Sequence, residues 1–167
     1  AIIPFFNGHE HIHKLLEDLP PDLPVILVDD QSDTPLGSVN RPNTIVYRNE
    51  SKGYFTGAVN YGIRRCSTDV LVLNQDISLH GTAWLDVLTA NREEYALIGE
   101  RIKGMHPAFP NGYVHGVFQY MSREALDRVG LMDAENYPLW GASALWQWQV
   151  CRAGYKSLPL REIPGLT

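Results

Sequence analysis

Apolar residues recur along this chain in two rhythms. In the first they cluster. Val25, Ile26, Leu27 and Val28 form one run that ends in Asp29 and Asp30, and Val70, Leu71, Val72 and Leu73 form another that ends in Asn74, Gln75 and Asp76. Short runs of β-branched residues and Leu bounded by turn formers read as strands buried on both faces. Residues 1–4 and 44–47 read as further strands, as do 95–99, 114–120 and 158–160. In the second rhythm apolar residues return every three or four positions. Ile12, Leu15, Leu16 and Leu19 share one helical face. Asn7 is placed to cap that helix, with Glu10 completing a capping box, and Pro20-Pro21 ends it. Phe55, Val59 and Ile63 mark a second helix over about 54–66. Thr82 caps a third that carries Trp84, Leu85 and Leu88. Ser122 caps a short helix that Gly130 ends. A Trp-rich helix over 142–153 stops at Gly154.

Strands alternating with helices predict an α/β fold with a mostly parallel central sheet flanked by helices. The stretch 103–112, with Pro107, Pro110 and Gly112, reads as a loop. No repeat, low-complexity segment or linker divides the chain, so residues 1–167 read as one domain, open to being a fragment that lacks a C-terminal extension. Ligands of such sheets settle beyond the carboxyl ends of the strands. The acids that end residues 25–28 and 70–73 therefore aim at one crevice. Crowded carboxylates need a cation, or hydrogen-bond donors from a ligand, to be tolerated.

Composition narrows the field. Of 167 residues, 44% are hydrophobic, enough for one sizeable core. The net charge is −5, and Lys and Arg are scattered, which argues against a nucleic-acid face. No apolar stretch reaches the roughly 18 residues of a membrane span, and no signal-peptide pattern opens the chain. Cys66 and Cys151 fall in expected helices and read as reduced packing residues, which suits the cytoplasm.

Each polar candidate has a chemical and a structural reading. Asp29 and Asp30 can accept from a nucleobase N–H or a ribose hydroxyl, or serve as turn acids with Ser32 and Asp33. Asp76 can hold a divalent cation through one oxygen while diphosphate oxygens supply others, as Mg²⁺ and Mn²⁺ allow; otherwise it caps the turn near Ser78 and Gly81. Gly53, in Lys52-Gly53-Tyr54-Phe55, lets backbone approach a ligand at a helix N-terminus that favours anions. The spacing matches neither a P-loop nor a dinucleotide fingerprint. His9 and His13 share a helical face without a third ligand and read as a solvated helix start. His106 reads as a solvent-exposed loop residue. A phosphate-accepting receiver domain would need a Lys at the end of a late strand, which Lys103 and Lys156 do not provide.

Several segments together resemble family 2 glycosyltransferases of the GT-A fold: Ile3-Pro4-Phe5-Phe6-Asn7, Val28-Asp29-Asp30-Gln31-Ser32-Asp33, Asn49 through Gly53 with Ala58-Val59-Asn60-Tyr61-Gly62-Ile63, Val72-Leu73-Asn74-Gln75-Asp76, Ser122-Arg123-Glu124-Ala125-Leu126 leading to Val129-Gly130-Leu131-Met132-Asp133, and Arg152-Ala153-Gly154-Tyr155-Lys156. They run in family order over nearly the whole chain. An Asn at position 74 is also familiar in members resembling rhamnosyl- and galactofuranosyltransferases. The resemblance implies transfer of a sugar from a nucleotide-diphosphate sugar to a hydroxyl acceptor, with inversion. It implies a saccharide, polysaccharide or lipid-linked glycan as acceptor, as in cell-wall or polysaccharide biosynthesis. The cofactor it implies is Mn²⁺ or Mg²⁺, and the place cytoplasmic, with peripheral attachment at the inner membrane face open.

By position, Pro4, Phe6, Asp29, Asp30, Gly53, Asn60 and Asn74 would bind the nucleotide, and Asp76 the metal. Asn74-Gln75-Asp76 stands where the family carries Asp-x-Asp. Ala142-Ser143 stands where it carries Glu-Asp, whose Asp takes the acceptor's proton. Serine is no general base near neutral pH without a partner. Either the base comes from elsewhere, with Glu135, Asp133 or His115 as candidates, or the chain is a degenerate domain that binds nucleotide or a partner without turnover, or the pair has been substituted by design. His115 could meet the acceptor or the metal, or be a hydrogen-bonded structural residue. Trp140 reads as a sugar-stacking platform for the acceptor, and Trp146 and Trp148 as core.

Overall fold

A computed structural model of the chain describes residues 1–102, 108–110 and 112–167. Strands β1 (Ile2–Phe5), β2 (Val25–Asp29), β3 (Thr44–Arg48) and β4 (Val70–Leu73) run parallel. β6 (Tyr113–Met121) runs against β4 and against β5 (Leu97–Ile102), and β7 (Ser157–Leu160) runs parallel to β5. The order across the sheet is β3-β2-β1-β4-β6-β5-β7. The sheet is mostly parallel, with β6 as the reversed strand. All of β4 is buried, as a strand covered on both faces should be.

The pleat of β1 explains the two cores. Ile3 and Phe5 face one side and Ile2 the other, because successive side chains in a strand alternate. On the first side lie α1 (His9–Asp18), through Ile12, Leu15 and Leu16, and α3 (Ala83–Asn91), through Trp84 and Leu88. On the second lie α2 (Tyr54–Ile63), α4 (Arg123–Val129) and α5 (Ala142–Arg152), through Val59, Leu126 and Trp146. Gly62 lets α2 lie close on the sheet: a Cβ there would stand 2.6 Å from Ile2 Cγ2.

Several local expectations change. Gly8, not Asn7, is the N-cap of α1, and no side chain caps that helix, so the capping box with Glu10 does not form. Asn7 sits at φ 52° and spends its amide on Asp33, donating to Oδ2 at 2.8 Å and accepting from the Asp33 N–H at 2.9 Å. Thr82 precedes α3 without a capping bond, whereas Ser122 does cap α4 by accepting from Ala125 N–H. β5 extends to Ile102, past the expected end at 99. Cys66 lies beyond α2, half-buried, and Cys151 is exposed on α5, so neither is a fully buried packing residue. Trp146 is buried, but Trp148 faces outward with the Arg152 guanidinium 4.7 Å from its ring. His13 is exposed; His9 is half-buried against the Phe5 ring rather than solvated. His106 and most of the 103–112 loop lie outside the described residues. Among the described residues no helix is long and apolar enough to cross a membrane.

Candidate functional site

The carboxyl ends of β1, β2 and β4 open on a cavity of about 420 Å³. Pro4 and Phe6 enter it from the end of β1, Asp30 from the residue after β2, and Asn74, Gln75 and Asp76 from the residues after β4. Asp30 and Asp76, far apart in sequence, thus border one space.

Local bonding divides the two adjacent aspartates. Asp29 ends β2 opposite Phe5. Its Oδ1 accepts from Ser32 N–H at 2.9 Å, and its Oδ2 accepts from Leu36 N–H at 3.1 Å and from Arg48 Nη1 at 2.6 Å. Burial pushes its pKa up, but the bonds from Ser32, Leu36 and Arg48 outweigh this and hold the carboxyl below its ordinary value. Asp29 therefore braces the loop after β2 and faces a separate depression on the β3 side, not the main cavity. Asp30 is buried at the cavity wall. Its Oδ1 accepts from Asn49 Nδ2 and Gly53 N–H, both at 2.7 Å. These bonds orient the carboxylate and leave Oδ2 for a ligand. Gly53 contributes through its backbone and does not itself line the cavity.

Gln75 joins the ends of β1 and β4. Its Oε1 accepts from Phe6 N–H at 2.8 Å and its Nε2 donates to Phe6 O at 2.9 Å, extending the ladder with a side chain. Gly8 is the residue that leaves room: a Cβ there would lie 2.4 Å from the Gln75 amide carbon. Lys52 also enters the cavity, with Nζ 2.7 Å from the Phe6 ring centroid, and Tyr54 stands beside it. Sequence reasoning assigned none of Lys52, Tyr54 and Gln75 to the site. Their only signal was a place next to Gly53 or inside the Asn74-Gln75-Asp76 tripeptide.

A second cavity of about 280 Å³ adjoins the first, sharing Phe55, Asn74 and Leu139. His115, Ser143 and Trp140 line it. Gly116 opens its floor, since a Cβ there would meet Ser143 Oγ and Phe55 Cζ, each at 3.1 Å. His115 Nδ1 stands 4.0 Å from Glu100 Oε2. Trp140 is 79% exposed, free to meet a ligand.

Two residues of α2 anchor the segment that carries Trp140. Thr56 donates its hydroxyl to Tyr137 O at 2.7 Å and its N–H to Pro138 O at 2.9 Å. Asn60 donates to Met132 O at 2.7 Å and accepts from Met132 N–H at 3.2 Å. Asn60 is thereby consumed as a tether and lines neither cavity, against the expectation of a nucleotide contact. Glu135 is exposed and also lines neither. Asp133 spends its carboxylate on the N–H and Nδ2 of Asn136.

Among the described residues no three His, Cys, Asp or Glu side chains gather as a metal cage. Asp76 is an exposed residue bordering the cavity, which Asn74 also lines. Hard oxygen donors in this small number suit Mg²⁺ or Mn²⁺ completed by diphosphate and water, not an ion held by protein alone.

The family model for glycosyl transferase family 2 matches residues 1–102, more than half of the chain. The chain belongs to glycosyl transferase family 2. No curated protein matches this family 2 chain in sequence. Among solved structures it is similar to the mannosyltransferase PcManGT from Pyrobaculum calidifontis in complex with GDP-Man and Mn²⁺ (TM-score 0.72, 16% identity, covering 98% of this chain and 54% of that one). It is similar to S. aureus TarS 1–349 in complex with UDP-GlcNAc (0.72, 16%, 99% and 56%). It is similar also to GalNAc-T7 with UDP, GalNAc and Mn²⁺ (0.74, 14%, 96% and 41%). These likenesses establish the GT-A fold for this family 2 chain. The chain spans little more than half the length of the first two structures and less of the third.

Proposed function

We propose that this domain transfers a sugar from a nucleotide-diphosphate donor to a hydroxyl acceptor, with inversion. The observation that carries the reading is the convergence of Asp30, Asn74 and Asp76 on one cavity at the strand ends. Asp30 Oδ2 would accept from the base or the ribose. Pro4 and the Phe6 ring would pack against the base, and Asn74 would bond the ribose. Lys52 would set its ammonium beside the donor's negative charge. Asp76 would hold Mn²⁺ or Mg²⁺ with the diphosphate; when bound, the cation neutralises charge on the leaving group. The wall shared by the two cavities, Phe55, Asn74 and Leu139, supports the reading: an acceptor in the second cavity would lie beside the donor sugar, as a single displacement requires. Exposed Trp140 suits stacking against a saccharide or lipid-linked glycan, the latter bringing the domain to a membrane face.

The test is calorimetric titration with UDP, dTDP and GDP, with Mn²⁺ and after its removal by EDTA. At least one nucleotide should bind, and stripping the metal should weaken it about tenfold or more, the scale of losing one charge-assisted contact. Absence of binding by every nucleotide would overturn the reading. A second reading, binding without turnover, is favoured by Ser143 at the first turn of α5. Release of nucleoside diphosphate from a bound sugar donor decides between them.

A further inference from the structure

We propose that His115 is the base that takes the acceptor's proton, with Glu100 as its positioning residue. This rests on the sugar-transfer reading above and supplies the group that reading lacks. In the reaction the acceptor oxygen bonds to the anomeric carbon while the bond from that carbon to the β-phosphate oxygen breaks. The diphosphate leaves with the electron pair, and the acceptor's proton must pass to a group beside it.

The wall of the second cavity offers few such groups. Among the described residues that line it, Tyr113 and His115 are the two with an ionisable side chain. A phenol is a poor proton acceptor, whereas a neutral imidazole offers a ring-nitrogen lone pair. Ser143 would need a base of its own, and it faces Gly116 instead. Asp133 and Glu135 line neither cavity.

The strands themselves aim His115. Between β5 and β6 the register runs from Gly99 opposite Gln119 to Arg101 opposite Val114, so residues 115–118 of β6 are crowded against a single step of β5. Irregularities of this kind re-aim side chains next to sites. Glu100 is the β5 residue at that step, and its Oε2 stands 4.0 Å from His115 Nδ1. This carboxylate lies on the Nδ1 side of the ring, within ion-pair range, and would leave Nε2 to take the acceptor's proton. Asn74 N–H, bonded to Val117 O at 3.0 Å, pins this part of β6 to the wall shared with the donor cavity.

The experiment uses the full chain with Mn²⁺, UDP-GlcNAc and GDP-mannose as donor probes, and water as acceptor. It reads nucleoside diphosphate release alongside calorimetric donor binding. His115→Ala should lower kcat by about 10²- to 10⁴-fold with donor KM and binding unchanged. Added imidazole should restore part of that loss in His115→Ala and leave the parent chain unaffected. Glu100→Gln should lower kcat, and Glu100→Asp should recover it. A His115→Ala chain that keeps its rate, or that loses rate without imidazole rescue, overturns the assignment. So does a parent chain that binds donor but never turns it over. Failure to bind any donor would instead overturn the sugar-transfer reading itself.

Discussion

Asp29 and Asp30 are neighbours with opposite duties, and the difference is set by what donates to each. Three donors saturate Asp29, while Asp30 gives one oxygen to the scaffold and keeps the other for the cavity. Asp29→Ala should cost about 3 kcal/mol of stability, because it strands two backbone amides and unpairs the Arg48 guanidinium; the denaturant midpoint measures this. The pH dependence follows from its depressed pKa. The stabilisation is fully present above the unfolded carboxyl value near 3.9 and is lost as pH falls through the lower folded value. The stability gap between the parent and Asp29→Ala should therefore narrow below about pH 4. Asp30→Asn keeps an acceptor for Asn49 and Gly53 but turns an acceptor toward the ligand into an amide. Nucleotide Kd should rise about tenfold with the melting temperature nearly unchanged, the size of one charged hydrogen bond. The sequence placed both acids at the strand end and could not divide them, because the partners Ser32, Leu36, Arg48, Asn49 and Gly53 are chosen by loop geometry.

At the scale of elements, apolar period was the legible signal. The faces of α1 and α2 and the all-buried β4 follow directly from it. Caps were less legible. Asn7 reads as a cap, yet its partner is Asp33, in the loop after β2, which the local sequence does not announce. The reversed direction of β6 was also hidden, since an apolar run does not encode which way its neighbours point. Two predictions belong here. Gly62→Ala should destabilise by about 1–3 kcal/mol, as the added methyl forces Ile2 and α2 apart; thermal melting measures it. Thr56→Val removes the hydroxyl bond to Tyr137 O and should cost about 1 kcal/mol. Hydrogen exchange should quicken over residues 132–141 and not over β1.

Across the whole molecule, the strand-end rule located the first cavity, because acids after β2 and β4 flank β1 in the sheet order. The second cavity was legible only in part: the resemblance singled out His115, Trp140 and Ser143, which line it, but not the space they enclose. It arises where the β5–β6 irregularity, Gly116 and the segment before α5 meet, and each contributes only through long-range packing. Gln75 lines the first cavity and not the second, so loss of its link should be felt in the first alone. Gln75→Ala should weaken nucleotide binding through Phe6, while turnover per bound donor changes little; comparison of Kd with kcat reads this.

Thr56 and Asn60 grip the polypeptide at Met132, Tyr137 and Pro138, yet Leu139 and Trp140, immediately beyond, jut into open water. The scaffold is bolted at the knuckle and bare at the fingertip. Exchanging those two tips for other shapes would alter what the neighbouring space admits without loosening a single bolt, so divergence among kin, or an engineer's first library, has its natural place there.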